Sequence, residues 1–502
     1  MKSFISKRTT IKKSEIFNRY CSLHPKEHRI IDIKNTNKRQ IRDLVIDEDV
    51  GEQIDVSEYL NFDTGYYLGT ISCMTGVLFN PKKGKKISPD IYNLSSKKLK
   101  KGDFVISRNA SLGKIAYINR DVKAILNGGI SVLRFHEEYK WYAPAFFMVD
   151  YGREYLTCIT SGGGTQQNAK RSNLLDVEIP IPSISNHSEP KKIVKIISLI
   201  VQNIIDKEEQ IQNKNSQINK LIDDELNNNQ GEKKYIFSYP KVSNIKNFEK
   251  RLDTSLYTKK YQESVYKVKN YTKGSFEISG LFNKSSKKFI SGLTPEAYMS
   301  VNQFNKDNYW WIAVADISYG LCFNKIIELK LNNDICNHLL EDGDILITRK
   351  GATVGKLIMF YKDYLEKAFV NEDIKVLRLP IENYKKVFIA MFLNSHYGQK
   401  QLLSNGSKGT KQGLTNDNIL NTIVPNFPED KQYNISNIYF KKIDKNTNLD
   451  FNNYLELEKL RNKSLGIYQL NIEVIKLRNT LSDLLDFIIN KKQIIVDFSK
   501  YV

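Results

Sequence analysis

The sequence is poor in the residues that build metal sites and disulfide frameworks. It has five cysteines, none in a CxxC pair, and six histidines with no HxxxH or HxH spacing. An odd number of scattered cysteines is typical of a protein in a reducing compartment. We therefore expect no metal site and a cytoplasmic location.

Long hydrophobic runs are also missing. The first residues, "MKSFISKRTTIKKSE", are basic but lack the apolar stretch of a signal peptide. No apolar run approaches the roughly 20 residues that a membrane-spanning helix needs. The sequence therefore predicts a soluble protein with no membrane partner.

Positive charge, in contrast, is abundant. The 502 residues carry a net charge of +20, and 41% of them are hydrophobic, enough for several globular cores. Such an excess of lysine and arginine indicates an anionic partner, of which DNA or RNA is the usual one. A generally lysine-rich surface, as AT-rich genomes encode, is the alternative explanation.

The stretch "GDILITRKGATVGK" (343–356) has some features of a phosphate-binding loop but not its spacing. A P-loop has four residues between its glycines and a Ser or Thr after its lysine. Here three residues separate Gly351 from Gly355, and Leu357 follows Lys356. The motif therefore does not indicate an NTPase.

The same stretch occurs twice in the chain. "LKKGDFVISRNASLGK" (99–114) matches "LEDGDILITRKGATVGK" (340–356), and "AILNGGISVLRF" (124–135) matches "AFVNEDIKVLRL" (368–379). "GGGTQQNAKRSNLLDVEIPIP" (162–182) then matches "SKGTKQGLTNDNILNTIVPNFP" (407–428), at an offset that stays between 241 and 245 residues. The chain therefore contains an internal duplication.

A long helical pattern follows each repeat, over about 189–226 and 453–490. Apolar residues recur every seven positions in both. In the helix over 189–226, a second set of apolar positions is interrupted by Lys207 and Lys214. This spacing predicts a coiled coil, with two ordinary amphipathic helices as the alternative. The predicted helix–helix packing residues are Ile197, Ile204, Ile211, Ile218, Leu460, Ile467, Val474 and Leu481.

We therefore predict an α+β protein with two mixed α/β domains in tandem, each followed by a long helix. Short β-branched and aromatic runs separated by glycine and asparagine turns indicate the strands. The predicted boundaries are 1–64 for an amino-terminal segment, unassigned or part of the first domain, 65–186 for the first domain, 187–235 for the first helix and connector, 236–430 for the second domain and 450–495 for the second helix.

This arrangement resembles the specificity subunit of type I restriction-modification systems. The residues that carry the resemblance are the duplicated "GD…R…GK" stretch, the "GT-x-Q" loop before "IPIP" or "VPNFP", and the helix after each. In the second half, "RLDTSLY" (251–257) and "YWWIAVADIS" (309–318) add to it; in the first, "YYLGTISCMTGVLF" (66–79) stands where the latter is expected.

The resemblance implies two target recognition domains, each contacting one half of a split double-stranded DNA site. The two helices would form an antiparallel coiled coil that sets the spacing of the half-sites. The subunit itself would be non-catalytic and bind no cofactor. Its partners would be DNA adenine methyltransferase subunits, two in number, which transfer a methyl group from S-adenosylmethionine to adenine N6, and a motor-nuclease subunit that can join. The implied role is phage defence through restriction and DNA methylation.

Residue types in the repeats agree with DNA binding. Lysine and arginine contact phosphates, and arginine, lysine, asparagine and glutamine read base edges. The candidates in the two turns and two glycine loops are Arg108, Asn109, Lys114, Gln166, Gln167, Lys170, Arg171, Arg349, Lys350, Lys356, Lys408, Lys411 and Gln412. Because Arg108 and Arg349 recur in domains that should read different bases, an internal structural role for them stays open.

No enzyme motif competes with this interpretation. The sequence has no GxGxxG cofactor loop and no acidic or Asn residue followed by Pro-Pro and an aromatic residue, as an amino-methyltransferase needs. "NEDIK" (371–375) clusters two carboxylates and a lysine, but it lacks the separate upstream acid of a nuclease, so a solvated strand edge is the better explanation. Two alternatives remain: the specificity subunit of another methylation-linked phage-defence system, and an unrelated coiled-coil nucleic-acid-binding protein.

Overall fold

The computed structural model divides the chain into two compact units. Unit 1 comprises Met1–Gln210, Asp444–Lys463 and Lys476–Val502, and unit 2 comprises Ile211–Ile443 and Ser464–Ile475. The structure describes residues 5–6, 29–160, 168–185, 187–237, 254–283, 288–294, 299–300, 309–317, 325–327, 337–350, 353–363, 365–405, 413–444 and 449–494.

Unit 1 is built on strands from the first repeat and from the segment before it. The strands are β1 (Ile5–Ser6), β2 (Ile30–Ile31), β3 (Lys38–Gln40), β4 (Val45–Val50), β5 (Tyr67–Gly69), β6 (Met74–Thr75), β7 (Leu78–Phe79), β8 (Lys85–Lys86), β9 (Phe104–Ser107), β10 (Ile115–Tyr117), β11 (Ala124–Leu126), β12 (Ile130–Phe135) and β13 (Glu178–Pro180).

The main sheet of unit 1 has six strands in the order β4-β12-β9-β10-β7-β6. Its centre is apolar because all four residues of β9, "FVIS", are buried. A smaller sheet has the order β11-β5-β8, and β3 pairs with β13. The strands β3 and β4 place residues 38–50 within the sheets of unit 1.

Helices cover and extend unit 1. They are α1 (Pro89–Leu94), α2 (Ala145–Met148), α3 (Asp150–Ile159), α4 (Arg171–Leu175) and α5 (Pro190–Asn228). The first begins at Ser88, whose side chain accepts a hydrogen bond from the backbone N–H of Ile91, with Pro89 at the first helical position. The last has 39 residues, and the boundary between the units falls within it.

Unit 2 repeats the strand arrangement of unit 1. They are β14 (Ser275–Glu277), β15 (Phe289–Ile290), β16 (Met299–Ser300), β17 (Tyr309–Ile312), β18 (Lys325–Ile327), β19 (Asp344–Thr348), β20 (Leu357–Phe360), β21 (Ala368–Val370), β22 (Ile374–Leu377) and β23 (Ile423–Pro425). They form sheets in the orders β15-β22-β19-β20 and β16-β18-β17-β21, with β14 paired to β23.

The remaining helices follow the same plan. They are α6 (Lys259–Lys269), α7 (Asn383–Asn394), α8 (His396–Asn405), α9 (Asn416–Leu420), α10 (Glu429–Tyr439), α11 (Tyr454–Ser464) and α12 (Ile467–Ile489). Ser395 separates α7 from α8. No helix among the described residues combines the length and apolar character that crossing a membrane requires.

The duplication seen in the sequence is also present in the strand pairing. β9 pairs antiparallel with β10 and β12, as β19 does with β20 and β22. β5 runs parallel to β11, with Tyr67 opposite Ala124, and β17 runs parallel to β21, with Trp310 opposite Ala368. The segment "YYLGTISC" is therefore the structural counterpart of "YWWIAVAD", in the place where the sequence suggested it.

The second long helix differs from its prediction. Two helices, α11 and α12, replace the single helix predicted over about 453–490. The break follows from Gly466, whose backbone N–H donates to the Lys441 carbonyl at 2.8 Å, and where a β-carbon would lie 2.3 Å from the Lys441 nitrogen. Leu460, predicted to pack between helices, is instead 57% exposed on α11, which corrects that assignment.

The other predicted packing residues are buried. Ile197 and Ile204 in unit 1 are fully buried, and so is Leu481. The residues of this set that fall in unit 2 are at most 7% exposed: Ile211, Ile218, Ile467 and Val474. Heptad spacing therefore identified buried positions on these helices, with the exception of Leu460.

Within unit 1, a buried polar network joins α5 to α11. Lys207, only 1% exposed, donates to Glu458 at 3.1 Å and to Asn462 at 2.6 Å. Asn203 donates to the Glu458 carboxylate at 3.2 Å and accepts from Asn462 at 3.0 Å. Lys207, which interrupts the apolar spacing in the sequence, is thus paired rather than left unsatisfied.

Candidate nucleic-acid interface

The duplicated "GD…R…GK" stretch forms a β-hairpin with a tight turn in each unit. In unit 1, the Ser107 N–H donates to the Lys114 carbonyl at 2.9 Å, and the Gly113 N–H to the Ser107 carbonyl at 2.9 Å. Gly113 has a φ of 70°, and a β-carbon there would meet the Arg153 backbone at 2.9 Å. The glycine of the Gly-Lys pair is therefore required by the turn.

The turn of unit 2 has the same bonds. The Thr348 N–H donates to the Lys356 carbonyl at 2.9 Å, and the Gly355 N–H to the Thr348 carbonyl at 3.0 Å. Gly355 has a φ of 83°. The motif is thus a strand–turn–strand element, in agreement with its rejection as a nucleotide-binding loop.

Arg108 faces the interior of unit 1. It is 8% exposed, and its guanidinium donates to the carbonyls of Ala169, at 3.3 Å, and Gly128. Burial lowers the pKa of this arginine, with the charges of Glu48 and Arg171 acting in opposite directions. These contacts favour the structural role for Arg108 that the sequence left open.

The end of each glycine loop lies beside the turn. The Ala169 N–H donates to the Arg108 carbonyl at 2.8 Å, and Asn109 pairs with Asn168 in an antiparallel bridge. Asn168 and Lys170 are exposed here, next to the half-buried Asn109. Two motifs separated by about 60 residues in the sequence thus form one surface, which we call the unit 1 junction (Arg108–Lys114 with Asn168–Arg171).

Unit 2 contains the equivalent unit 2 junction (Arg349–Lys350 and Thr353–Lys356 with Gly413–Leu414). The Leu414 N–H donates to the Arg349 carbonyl at 2.9 Å, and Lys350 pairs with Gly413. The Lys350 ammonium lies 3.1 Å from an Asp373 carboxylate oxygen. Arg349 is half-buried, and its Nε has no hydrogen-bond partner among the described residues.

The candidate residues differ in exposure. Lys170, Arg171, Lys350 and Lys356 are exposed, whereas Lys114 is half-buried. Arg171 forms an ion pair with Glu48, a residue of β4. Five candidates of the glycine loops lie outside the described residues: Gln166, Gln167, Lys408, Lys411 and Gln412.

Each repeat also contains a buried ion pair that motif reading did not single out. Arg134 donates to both carboxylate oxygens of Asp103, at 2.8 and 3.0 Å. Arg378 makes the same two bonds to Asp344, at 2.8 and 2.7 Å. The aspartate of "GD" and the arginine of "VLR" recur together in the sequence, and that co-occurrence is the signal that could have predicted the pair.

The "NEDIK" cluster has a structural explanation in its strand. The Asp373 carbonyl accepts the Arg349 N–H at 2.8 Å, and the Asn371 side chain caps the turn by accepting the Asp373 N–H at 2.8 Å. Burial lowers the pKa of Lys375, with the charge of Arg349 adding to the effect. Among the described residues, no group of three or more His, Cys, Asp or Glu side chains is placed to hold a metal ion.

Comparison with known proteins identifies the first of the two repeats. Residues 67–220 match the family described as "Type I restriction modification DNA specificity domain". This match confirms, for residues 67–220, the resemblance predicted from the sequence. No curated protein sequence matches the chain significantly.

Two solved structures of type I specificity subunits are similar to the chain only distantly. The S subunit of a type-I restriction-modification system from M. genitalium is 14% identical, with a TM-score of 0.37 over 91% of this chain and 95% of that one. The HsdS subunit from Thermoanaerobacter tengcongensis is 14% identical, with a TM-score of 0.25 over 91% and 98%. At this level of similarity the structures add nothing to the family match.

Proposed function

We propose that this chain is the specificity subunit of a type I restriction-modification complex that methylates adenine at N6. It reads a bipartite DNA target through two recognition domains, one in each unit. It also binds two methyltransferase subunits. S-adenosylmethionine binds to those partner subunits, and a motor-nuclease subunit completes the complex when restriction occurs. This chain contributes recognition and no catalytic group.

The observation that carries the proposal is the recurrence of one junction in both units. In each, the same hydrogen bonds join the strand–turn to the glycine loop and leave lysine side chains exposed beside it. Lysine and asparagine at such a surface supply the donors that DNA phosphates and base edges accept. The family match covers the first copy, and the duplication extends the assignment to the second.

A bipartite target follows from two such domains in one chain. Equivalent positions of the two junctions carry different residues: Asn109 and Asn168 are bridged in the first, where Lys350 and Gly413 are bridged in the second. Different side chains at equivalent positions are what two domains need in order to read different half-sites.

The long helices are proposed to set the spacing between the half-sites as an antiparallel coiled coil. The 39 residues of α5 span about 58 Å at 1.5 Å per residue. In unit 1, Arg478 of α12 donates to Glu208 at 2.8 Å, whereas the Lys492 backbone lies beside His187. The later residue of one segment, Lys492, meets the earlier residue of the other, His187. This order supports an antiparallel course of α12 along α5.

Selection from a pool of randomised duplex DNA tests the proposal. The full chain, co-expressed with the methyltransferase genes that neighbour its own, should enrich one motif with two short conserved blocks separated by a spacer of fixed length. Methylation of the enriched DNA should fall on adenine within those blocks. An enriched motif with a single contiguous block, or binding without sequence preference, would contradict bipartite recognition and favour a general nucleic-acid-binding protein.

A further inference from the structure

A surface of unit 1 away from the junction interleaves lysines with tyrosines. The Lys123 ammonium lies 4.9 Å from the centre of the Tyr66 ring, and the Tyr66 and Tyr92 rings are 5.2 Å apart. The Lys98 ammonium lies 5.1 Å from the Tyr92 ring. Together with Lys85, which lies 5.8 Å from the Tyr59 ring, these residues form what we call the lysine–tyrosine face.

The smaller sheet of unit 1 holds these tyrosines in place. Leu68 of β5, Ile125 of β11 and Ile87, which follows β8, are completely buried, and Tyr59, Tyr66 and Tyr92 pack against them while staying partly exposed. A tyrosine fixed in this way presents a ring face at the surface with little freedom left to lose on binding. The face is therefore preorganised for a ligand.

The charge of this region is strongly one-sided. Residues 82–123 contain twelve lysines and arginines but only three aspartates and no glutamate. Within the described part of the chain, the ammonium groups of Lys85, Lys98 and Lys123 form no ion pair with a carboxylate; Lys98 donates to the Asn93 carbonyl at 3.2 Å and Lys123 to the Tyr66 hydroxyl at 3.4 Å. Like charges concentrated on one face repel one another unless an anion binds there.

One element of the face recurs in unit 2. The Lys367 ammonium lies 5.7 Å from the Tyr309 ring, and Lys367 precedes β21 as Lys123 precedes β11. The backbone bonds match as well: Tyr67 N–H donates to the Lys123 carbonyl at 3.0 Å, and Trp310 N–H to the Lys367 carbonyl at 2.8 Å. The lysine over a tyrosine is therefore part of the duplicated unit.

We propose that the lysine–tyrosine face contacts the phosphodiester backbone of double-stranded DNA, independently of its sequence. The inference rests on the proposed function, since it assigns a second contact surface to the first recognition domain. Two domains that read different half-sites cannot share base-reading residues, but they meet the same phosphate backbone. A lysine repeated in both domains therefore fits phosphate, whereas the differing residues of the junctions fit bases.

The position of the face suits a second contact on the same duplex. Arg108 of the unit 1 junction binds the carbonyl of Gly128, just beyond the carboxyl end of β11, whereas Lys123 lies just before its amino end. Five residues separate them, three of them in β11, so the two positions are at most about 16 Å apart at roughly 3.3 Å per residue. This separation is of the order of the ~12 Å width of the DNA major groove, so base and phosphate contacts can be made together.

The salt dependence of DNA binding tests the assignment. The full chain with Lys85→Gln, Lys98→Gln and Lys123→Gln is compared with a control in which Lys34, Lys191 and Lys195, exposed lysines of unit 1 outside the face, are changed to Gln. Each lost phosphate contact reduces the slope of log K against log salt by about 0.9. With three lysines removed, the magnitude of this slope should therefore fall by about 2.7 in the face variant. The fall should be equal on target and scrambled duplexes. Changing the same three lysines to Arg should restore the wild-type slope.

Three outcomes would overturn the inference. A face variant with the wild-type slope, or with a loss no greater than the control, shows that these lysines do not meet phosphate. Loss of affinity for the target alone shows that they read bases. An unchanged slope with loss of methyltransferase co-purification makes the face a protein-docking surface instead. Failure of the proposed function is distinct, because the wild-type chain would then show no preference for target over scrambled DNA.

Discussion

Arg108 shows how one residue can look like a DNA contact in the sequence and serve the fold in the structure. Its position in a basic turn favours phosphate binding, but its guanidinium donates to the carbonyls of Ala169 and Gly128. Those carbonyls belong to the glycine loop and to the turn after β11, so Arg108 holds the unit 1 junction together. The exposed lysine of that junction, Lys170, is a better candidate for DNA contact.

Substitution separates these two roles. Arg108→Met should lower the free energy of unfolding of unit 1 by about 1–3 kcal/mol, because the buried Ala169 carbonyl and the half-buried Gly128 carbonyl lose their donor. Lys170→Gln should leave stability within about 0.5 kcal/mol of wild type and weaken DNA binding. Urea denaturation and DNA titration of both variants, each at a temperature where both are folded, measure the difference. A stable Arg108→Met protein with weakened DNA binding would place Arg108 at the DNA instead.

For individual residues, the sequence predicted which residue types lie in the turns and loops better than it predicted which of them are exposed to DNA. It identified Arg108, Lys170 and Lys350 as a set but could not tell which side chain turns inward, because that depends on a loop about 60 residues away. The pairs Asp103–Arg134 and Asp344–Arg378 were visible as repeated letters, yet their partnership follows from strand register. The tyrosines of the lysine–tyrosine face were missed because they are scattered over three separate elements.

The strand–turn elements were predicted correctly, whereas the second long helix was not. Heptad spacing continues across the break between α11 and α12, so periodicity alone indicates one helix. The break depends on the close approach of Gly466 to the chain at Tyr439–Lys441, a contact that sequence spacing does not record. A glycine inside a helical pattern was the only local signal.

Gly466 should therefore tolerate no side chain. A β-carbon at this position would lie 2.3 Å from the Lys441 nitrogen and 2.6 Å from the Tyr439 carbonyl oxygen. Gly466→Ala should destabilise unit 2 by roughly 1–3 kcal/mol through overpacking, measured by chemical denaturation. Gly280→Ala is the matched control, since nothing lies within 4 Å of its β-carbon position. Equal stability of the two variants would show that the break has another cause.

The buried network between α5 and α11 should couple these helices. Lys207→Met removes one of two cations beside the Glu458 carboxylate, itself 5% exposed. Because Arg461 remains 3.4 Å away, the loss should be that of one charged hydrogen bond, about 1.5–3 kcal/mol. The double variant Lys207→Met, Glu458→Met should lose less than the sum of the single variants. Denaturation of the four proteins of this cycle gives the coupling energy.

An exposed ion pair supplies the control for that cycle. Arg153 and Asp150 are 2.7 Å apart, with side chains 54% and 52% exposed. Arg153→Met should change the stability by less than about 1 kcal/mol. Strict additivity of the Lys207 and Glu458 variants would mean that the two side chains do not act as a pair.

For the whole molecule, duplication is the property that the sequence revealed most directly. Matching strand registers in β9–β10–β12 and β19–β20–β22 confirm it, and the family match assigns residues 67–220 to the DNA specificity domains. What could not be predicted was the contribution of β3 and β4, because these strands come from a segment with no recognisable motif. β4 forms an edge of the six-stranded sheet, and β3 pairs with β13 from the far end of the domain sequence.

The central claim is that this chain chooses the DNA sequence that a methyltransferase modifies. Single-molecule sequencing of the host methylome, with the gene present, deleted and restored, tests it most directly. The account predicts that N6-methyladenine disappears from one split motif on deletion and returns on complementation. A methylome that stays unchanged, in cells shown to express the gene and its methyltransferase neighbours, would contradict it.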